Sequence, residues 1–410
     1  MLPLPDSWYR RLLVAALGFG AAGGLFALLY SGVTGWGIDL VFGAPTSEAF
    51  SGQWWWIPVV SAGALLVAIL RRRASLTGHV PGAVAYAQRG WVEPSSAFAL
   101  VTISAISLMV GASLGPSFGI IVSAGGFSSW VVSRRASSGE TEQHDYALTG
   151  MTGGLGAIFA APLFAAVMAS ELSPTSKRDY VAAFIPQLLA ATIGFAIFFS
   201  VTGTAILDSF DVPGYDFEYV HLLFGVGLGL ASALVLLAFV AISGLIRRAS
   251  AMVPNPFIRA TLFGALIGGV AFALPLAAAG GSSQLAFETD NIGAIGVGLL
   301  LAVLLAKMAA VALSLEAGFL GGTVFPMLFI GGTAGVLIHE VLPDVPAALA
   351  VAAMIAAVPG AMIGAPVSFV LLGAGTVGVG VEGIAPVGLA VVTSHITASA
   401  LQLRKTRSAG

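Results

Sequence analysis

Two glycine-rich stretches carry the residues best suited to chemistry. Gly111 to Gly126 reads GASLGPSFGIIVSAGG, and Gly318 to Gly332 reads GFLGGTVFPMLFIGG. Each passes from glycines through a short polar break into an apolar segment that ends in Gly-Gly. Glycine lets a backbone bend and come close to an ion. The apolar segment then starts a helix, whose first N–H groups lack partners and carry partial positive charge. A glycine loop feeding a helix start therefore suits an anion. The expected chemistry is anion binding by backbone amides. It centres on Gly115, Pro116, Ser117, Phe118, Gly119 and Ile120 in the first stretch and on Gly322, Thr323, Val324 and Phe325 in the second. Soluble phosphate loops have the same parts, so the signal comes from two copies in an apolar chain.

Few side chains add to this. Ser117 can donate its hydroxyl to an anion or cap its helix. Gly78 and His79 sit in the break Thr77-Gly78-His79-Val80-Pro81. There Gly78 is a backbone contact, and His79 is a candidate ion or proton contact, or a loop cap. Lys307 lies inside an apolar run, where a charge is costly and is functional or paired; Glu316 and Glu382 are its candidate partners. Glu171 is a candidate proton relay, or else a carboxylate at a helix end. Phe118, Val324 and Phe325 are read as lipid- or core-facing, with functional backbone amides. His339-Glu340 lacks the second histidine of a zinc-protease helix. The chain has no cysteine, which excludes disulfides, thiolate chemistry and cysteine–zinc sites. No catalytic residue, metal or cofactor is expected.

The elements that must position these residues are membrane helices. Hydrophobic residues make up 58% of the chain and charged residues 9%, against about 25% charged in a soluble domain. The net charge of −2 gives no nucleic-acid footprint. Positive clusters such as Arg10-Arg11 and Arg71-Arg72-Arg73 mark cytoplasmic ends of spans. The pattern predicts spans over 12–34 and 54–70, a short piece ending near Gln88, and a helix from Glu93-Pro94 to the Gly111 break. The first loop's helix ends at Arg134, with a polar loop over 136–145. Later spans are expected near 219–247, 257–280 and 291–315, with the second loop's helix ending near His339 and a last helix near Leu403. The apolar run after Arg10 and Arg11 is too long for a cleavable signal and has no clear cleavage site.

The chain also repeats itself. Leu114-Gly115 and Gly125-Gly126 recur 206 positions later, as Leu320-Gly321 and Gly331-Gly332. Gly156-Ala157-Ile158-Phe159-Ala160-Ala161-Pro162-Leu163 recurs 204 positions later, as Gly360 to Val367. Two matches at nearly one offset predict two homologous transmembrane halves, 1–210 and 211–410, joined near 203–218. They form one integrated membrane domain. Interrupted helices at matching positions of two halves point to a transport site.

At these loops the sequence resembles the CLC chloride channel and transporter family. The family's G-x-E-x-P and G-x-F-x-P loops correspond to Gly115-Pro116-Ser117-Phe118-Gly119 and Gly322-Thr323-Val324-Phe325-Pro326. Its G-S-G-x-P loop corresponds to Thr77-Gly78-His79-Val80-Pro81. The resemblance runs over nearly the whole chain in the right order. It implies an all-α polytopic fold of tilted and re-entrant helices in two inverted halves, working as a homodimer with one pore per subunit. It also marks departures. The family's gating glutamate falls on Ser117, or on Leu114 in a shifted register; Ser117 keeps the following glycine at the family's distance. The inner proton-transfer glutamate falls on Leu172, beside Glu171. The family's late tyrosine and the cytoplasmic nucleotide-binding domains of some members have no counterpart.

The expected function is passive transport of an inorganic anion, chloride first, by a protein of a prokaryotic plasma membrane. Helix N-termini hold an anion weakly enough to release it, as conduction requires. A proton-coupled exchanger needs a titratable group on the path, and Ser117 does not titrate near neutral pH; Glu171 and His79 are the substitutes. A membrane-embedded enzyme would need a Ser–His or paired-Asp arrangement, and none is visible.

Overall fold

The computed structural model describes residues 7–43, 52–76, 78, 80–134, 139–173, 180–203, 210 and 212–408. Among them it is all-helical, and the pattern of long and short helices follows the punctuation in the sequence. The first four helices are α1 (Ser7–Phe42), α2 (Trp56–Arg73), α3 (Ala83–Arg89) and α4 (Pro94–Met109). Next come α5 (Ser117–Ser133), α6 (Glu140–Ile158), α7 (Pro162–Leu172) and α8 (Tyr180–Thr202). Then follow α9 (Val220–Ala251), α10 (Pro256–Ala273), α11 (Ser282–Asp290) and α12 (Val297–Ala317). The last four are α13 (Val324–Val341), α14 (Ala347–Ile363), α15 (Pro366–Val377) and α16 (Gly380–Ser408).

Proline at the first helical position starts α4, α7, α10 and α15, where its missing N–H costs nothing. Asn255 reinforces the start of α10, its side chain accepting from the amides of Phe257 and Ile258. Left-handed glycines stop α3, α12, α14 and α15, as glycine does at helix C-termini. Among the described residues seven helices are long and apolar enough to cross a membrane: those within α1, α8, α9, α10, α12, α13 and α16. The apolar helices α4, α5, α7, α14 and α15 have 17 residues or fewer, short of the roughly 20 that cross a bilayer. Where such a helix ends inside the bilayer, irregular backbone survives only if protein surrounds it.

Several boundaries differ from the sequence reading. The first span is longer, because α1 continues to Phe42. The polar stretch read as a loop over 136–145 is helical from Glu140 on, since α6 starts with polar residues before turning apolar. The run read as one span over 257–280 breaks at Leu274, and α11 was not foreseen.

Helices α1, α6 and α8 pack closely together, and so do α9, α14 and α16. Gly20, Gly153 and Gly194 lie backbone against backbone where α1, α6 and α8 cross, so a methyl group on any of them would overlap a neighbouring main chain. Small residues draw helices together in lipid, where the hydrophobic effect gives no pull between them. Helices α13 and α14 are buried along most of their length. The two short helices that follow the repeated Ala-Pro breaks, α7 and α15, touch each other.

Candidate anion site

The two glycine stretches meet. The amide of Gly115 donates to the carbonyl of Gly322 at 2.7 Å, and the amide of Gly322 donates back to Gly115 at 2.8 Å. Further bonds cross the same seam. Ser107, near the end of α4, accepts from the amide of Leu320 at 3.1 Å. Ser314, near the end of α12, accepts from the amide of Ser113 at 3.0 Å. Each serine donates one turn back along its own helix, to Ile103 and Ala310, at 2.7 Å. Every one of these pairings maps onto its counterpart by a shift of 207 (115 to 322, 107 to 314, 113 to 320, 103 to 310). The structural register is thus one residue beyond the 206 read from the sequence, because the seam pairs Gly115 with Gly322 rather than with Gly321.

The seam brings the starts of α5 and α13 side by side. Helix α5 begins at Ser117 and α13 at Val324, again 207 apart, and neither start carries a side-chain cap. Their first amides are left for another acceptor. Gly322 lies against Ser117, so a methyl group there would overlap the Ser117 hydroxyl. Ser117 is fully buried, and its Oγ has no hydrogen-bond partner. It is therefore not the helix cap that serine often supplies; Pro116 occupies that position. An orphaned buried hydroxyl costs about 1–3 kcal/mol, which a bound acceptor would relieve.

Phe118, Gly119, Ile120, Val324 and Phe325 are all buried. The Phe118 ring packs edge-on to Tyr86 at 6.0 Å. Phe325 stacks on Phe159 at 4.8 Å. Phe159 meets Phe164 at 4.9 Å, and Phe164 meets Phe369 at 5.4 Å. This aromatic row ties the start of α13 to the break between α6 and α7 and on to α15. Gly119 faces the ring of Tyr30, whose hydroxyl bonds Ser104 at 2.7 Å.

Two cavities approach the seam. One, of about 270 Å³, touches Leu114, Pro116 and Phe325. The other, of about 770 Å³, touches Gly78 and Gly318 to Leu320. Arg71 joins the loops beside this larger cavity. Its guanidinium donates to the carbonyls of Gly318 at 2.8 Å, Gly78 at 2.9 Å and Leu76 at 3.3 Å. Carbonyl oxygens held by a cation are held away from an anion. His79 and Thr77 lie outside the described residues, so of that break the structure places Gly78, Val80 and Pro81.

Two side chains find partners that the sequence did not assign. Glu171 accepts from the amides of Val367 and Ser368 at 2.8 and 2.9 Å and from the Ser368 hydroxyl at 2.6 Å. It caps α15 across the α7–α15 contact, a structural duty. Lys307 is paired with neither Glu316 nor Glu382. It is fully buried, with its ammonium on the carbonyls of Ala277, Ala278 and Ala279 at 3.4, 3.2 and 2.5 Å and 4.9 Å from the Phe329 ring centroid. The carboxylate that shares its field is Glu288 on α11. Glu288 is fully buried, accepts from the Thr333 hydroxyl at 2.6 Å and leaves its other oxygen unpartnered. Phe329 and Thr333 are one turn apart on α13, which places Lys307 and Glu288 along one face of that helix. The sequence reading missed Glu288. Its signal was a carboxylate, two residues before Asp290, on a short segment between apolar runs.

No group of three or more His, Asp or Glu residues that could hold a metal occurs among the described residues. Comparison with known proteins agrees with the architecture. The fold matches that of a slow cyanobacterial Cl⁻/H⁺ antiporter (TM-score 0.79, 18% identity, 95% of each chain). It also matches a CLC-type fluoride/proton antiporter (TM-score 0.78, 16% identity, 95% of this chain and 96% of that one). In sequence, an uncharacterized protein of Methanocaldococcus jannaschii, MJ0305, is 29% identical over 205 residues, 48% of this chain and 49% of that protein. The putative ion-transport protein YfeO of Escherichia coli is 26% identical over 277 residues, 64% of this chain and 63% of that protein. The matched stretches thus span about half to under two thirds of these relatives. The profile of the voltage gated chloride channel family covers residues 59–399, a span that contains both glycine loops, the seam between them and the two helix starts it joins. By that match this membrane protein belongs to the voltage gated chloride channel family, whose members are transporters and channels.

Proposed function

We propose that the chain carries chloride or a similar small inorganic anion across a prokaryotic plasma membrane, passively, through the seam between its glycine loops. The observation that supports this most is Ser117, a buried hydroxyl with no partner where two uncapped helix starts meet. Helix starts and one hydroxyl give an anion partial charges, which hold it against a low-dielectric surrounding and still let it leave. The gate position then holds a group that cannot ionise in the working range. Family membership adds the expectation of a homodimer. The test is anion efflux from proteoliposomes over a panel of halides and nitrate, with and without a pH gradient. Efflux that tracks the anion gradient and ignores the proton gradient is the expected result; no efflux for any anion would sink the reading.

A second reading rests on Glu288. Glu288 is a buried carboxylate with one oxygen unpartnered, the kind of titratable group that Ser117 does not supply. The two solved structures of like fold are named as proton-coupled antiporters. Under clamped voltage, a chloride gradient would then drive uphill proton movement that Glu288→Gln abolishes.

A further inference from the structure

The larger cavity has more room and more charge than a small anion requires. Its volume is about 770 Å³. Arg71 and Arg72 from α2 and Arg259 from α10 line it, with Glu316 from α12 as the facing carboxylate. The three guanidinium groups differ in what they already hold. Arg71 is committed to the three loop carbonyls described above. Arg72 lies over the Phe257 ring, 5.6 Å from its centroid. Arg259 has a buried Nε without a partner and shares the cavity lining with Arg71. One carboxylate leaves like charges uncompensated in a recess of reduced dielectric, which is unfavourable. The unpartnered Nε asks for an acceptor.

We propose that this cavity binds a polyatomic oxyanion of the phosphate or sulfate class, which occludes the path from the arginine side without crossing. Guanidinium forks match pairs of oxygens on such anions, whereas a spherical halide takes no advantage of the fork. A doubly charged oxyanion would neutralise the excess that Glu316 leaves. It has no way onward. The loops beyond are bonded backbone to backbone at 2.7 and 2.8 Å, so the seam must part to pass a halide and would have to part further for the larger oxyanion. The arginine cluster places this cavity on the cytoplasmic side. The occlusion rests on the permeation reading; the binding does not.

Two measurements test it on the full chain. In detergent, inorganic phosphate and sulfate should each raise the unfolding temperature saturably. Arg259→Gln should weaken phosphate binding by about tenfold, the worth of one charge-assisted bond. Should Arg259→Gln fail to fold, Arg259→Lys keeps the charge, loses the fork and should still weaken phosphate. In oriented vesicles, phosphate on the arginine face should slow chloride flux, while phosphate on the opposite face should not. Absence of thermal stabilisation, binding unchanged in both Arg259 variants, or block from the wrong face would overturn the proposal. A protein that carries no anion yet is stabilised through Arg259 would keep this site and refute the permeation reading. Chloride flux untouched by bound phosphate would refute the occlusion and leave permeation standing.

Discussion

Ser117 can be separated from the fold around it because its hydroxyl bonds nothing in the protein. Ser117→Ala removes an unsatisfied buried group and should leave thermal stability in anion-poor detergent unchanged or raise it by up to about 1 kcal/mol. The same change should lower anion affinity roughly tenfold, read by flux against concentration. Ser117→Glu should slow flux at neutral pH and restore it on acidification, since an ionised carboxylate competes with the anion and a protonated one does not; a flat pH response would show that position 117 is not at the gate. Lys307 is the opposite case. Lys307→Met would leave three carbonyls and Glu288 without their cation, and breaking a buried charge arrangement costs about 3–5 kcal/mol. Adding Glu288→Gln should recover part of that loss in thermal unfolding, and additive losses would mean that the two charges are independent. Ser117 was legible because its loop has a repeated grammar. Glu288 was not, because its partners stand 19 and 45 positions away and meet it only after α11, α12 and α13 have packed.

At the scale of elements, the helix starts do what side chains do elsewhere. Glycine at 322 keeps α5 and α13 in register, so Gly322→Ala should force the starts apart and cut anion flux at least tenfold, with the helix content seen by circular dichroism retained. Glu171 now reads as the cap of α15. Glu171→Gln keeps one acceptor oxygen and loses the charge; it should cost about 1 kcal/mol of stability and leave the response of flux to pH as in the parent. A lost pH response would restore it as a relay. Which helices exist was largely readable, because Pro and Gly mark starts and stops along this apolar chain. Their ends were less so. The long extension of α1 and the polar first turns of α6 are set by packing against neighbouring helices, which no local pattern announces.

For the whole molecule, the loop repeat showed through sequence drift because a reciprocal pair of backbone bonds joins the two glycine loops. Three matched pairs of bonds related by one shift of 207 support the proposal that the two halves are related by a pseudo-two-fold axis in the membrane plane. A superposition of α1–α8 on α9–α16 with no common path would refute it. By resemblance the family's gating glutamate falls on Ser117, and that reading carries the expectation of uncoupled flux. With voltage clamped and a chloride gradient imposed, no uphill proton movement should be seen in reconstituted protein.

The reciprocal bonds between Gly115 and Gly322 also bear on how the protein is made. When translation reaches the end of α8, every polar group of the first loop that faces the seam is still waiting for a partner about two hundred residues away. In a bilayer such groups have no water to turn to, so a chain that stops there is a substrate for quality control rather than half a transporter. The same reciprocity lets either part complete the other. Two polypeptides divided between α8 and α9 and produced in one cell should assemble and carry anions, whereas each made alone should be degraded.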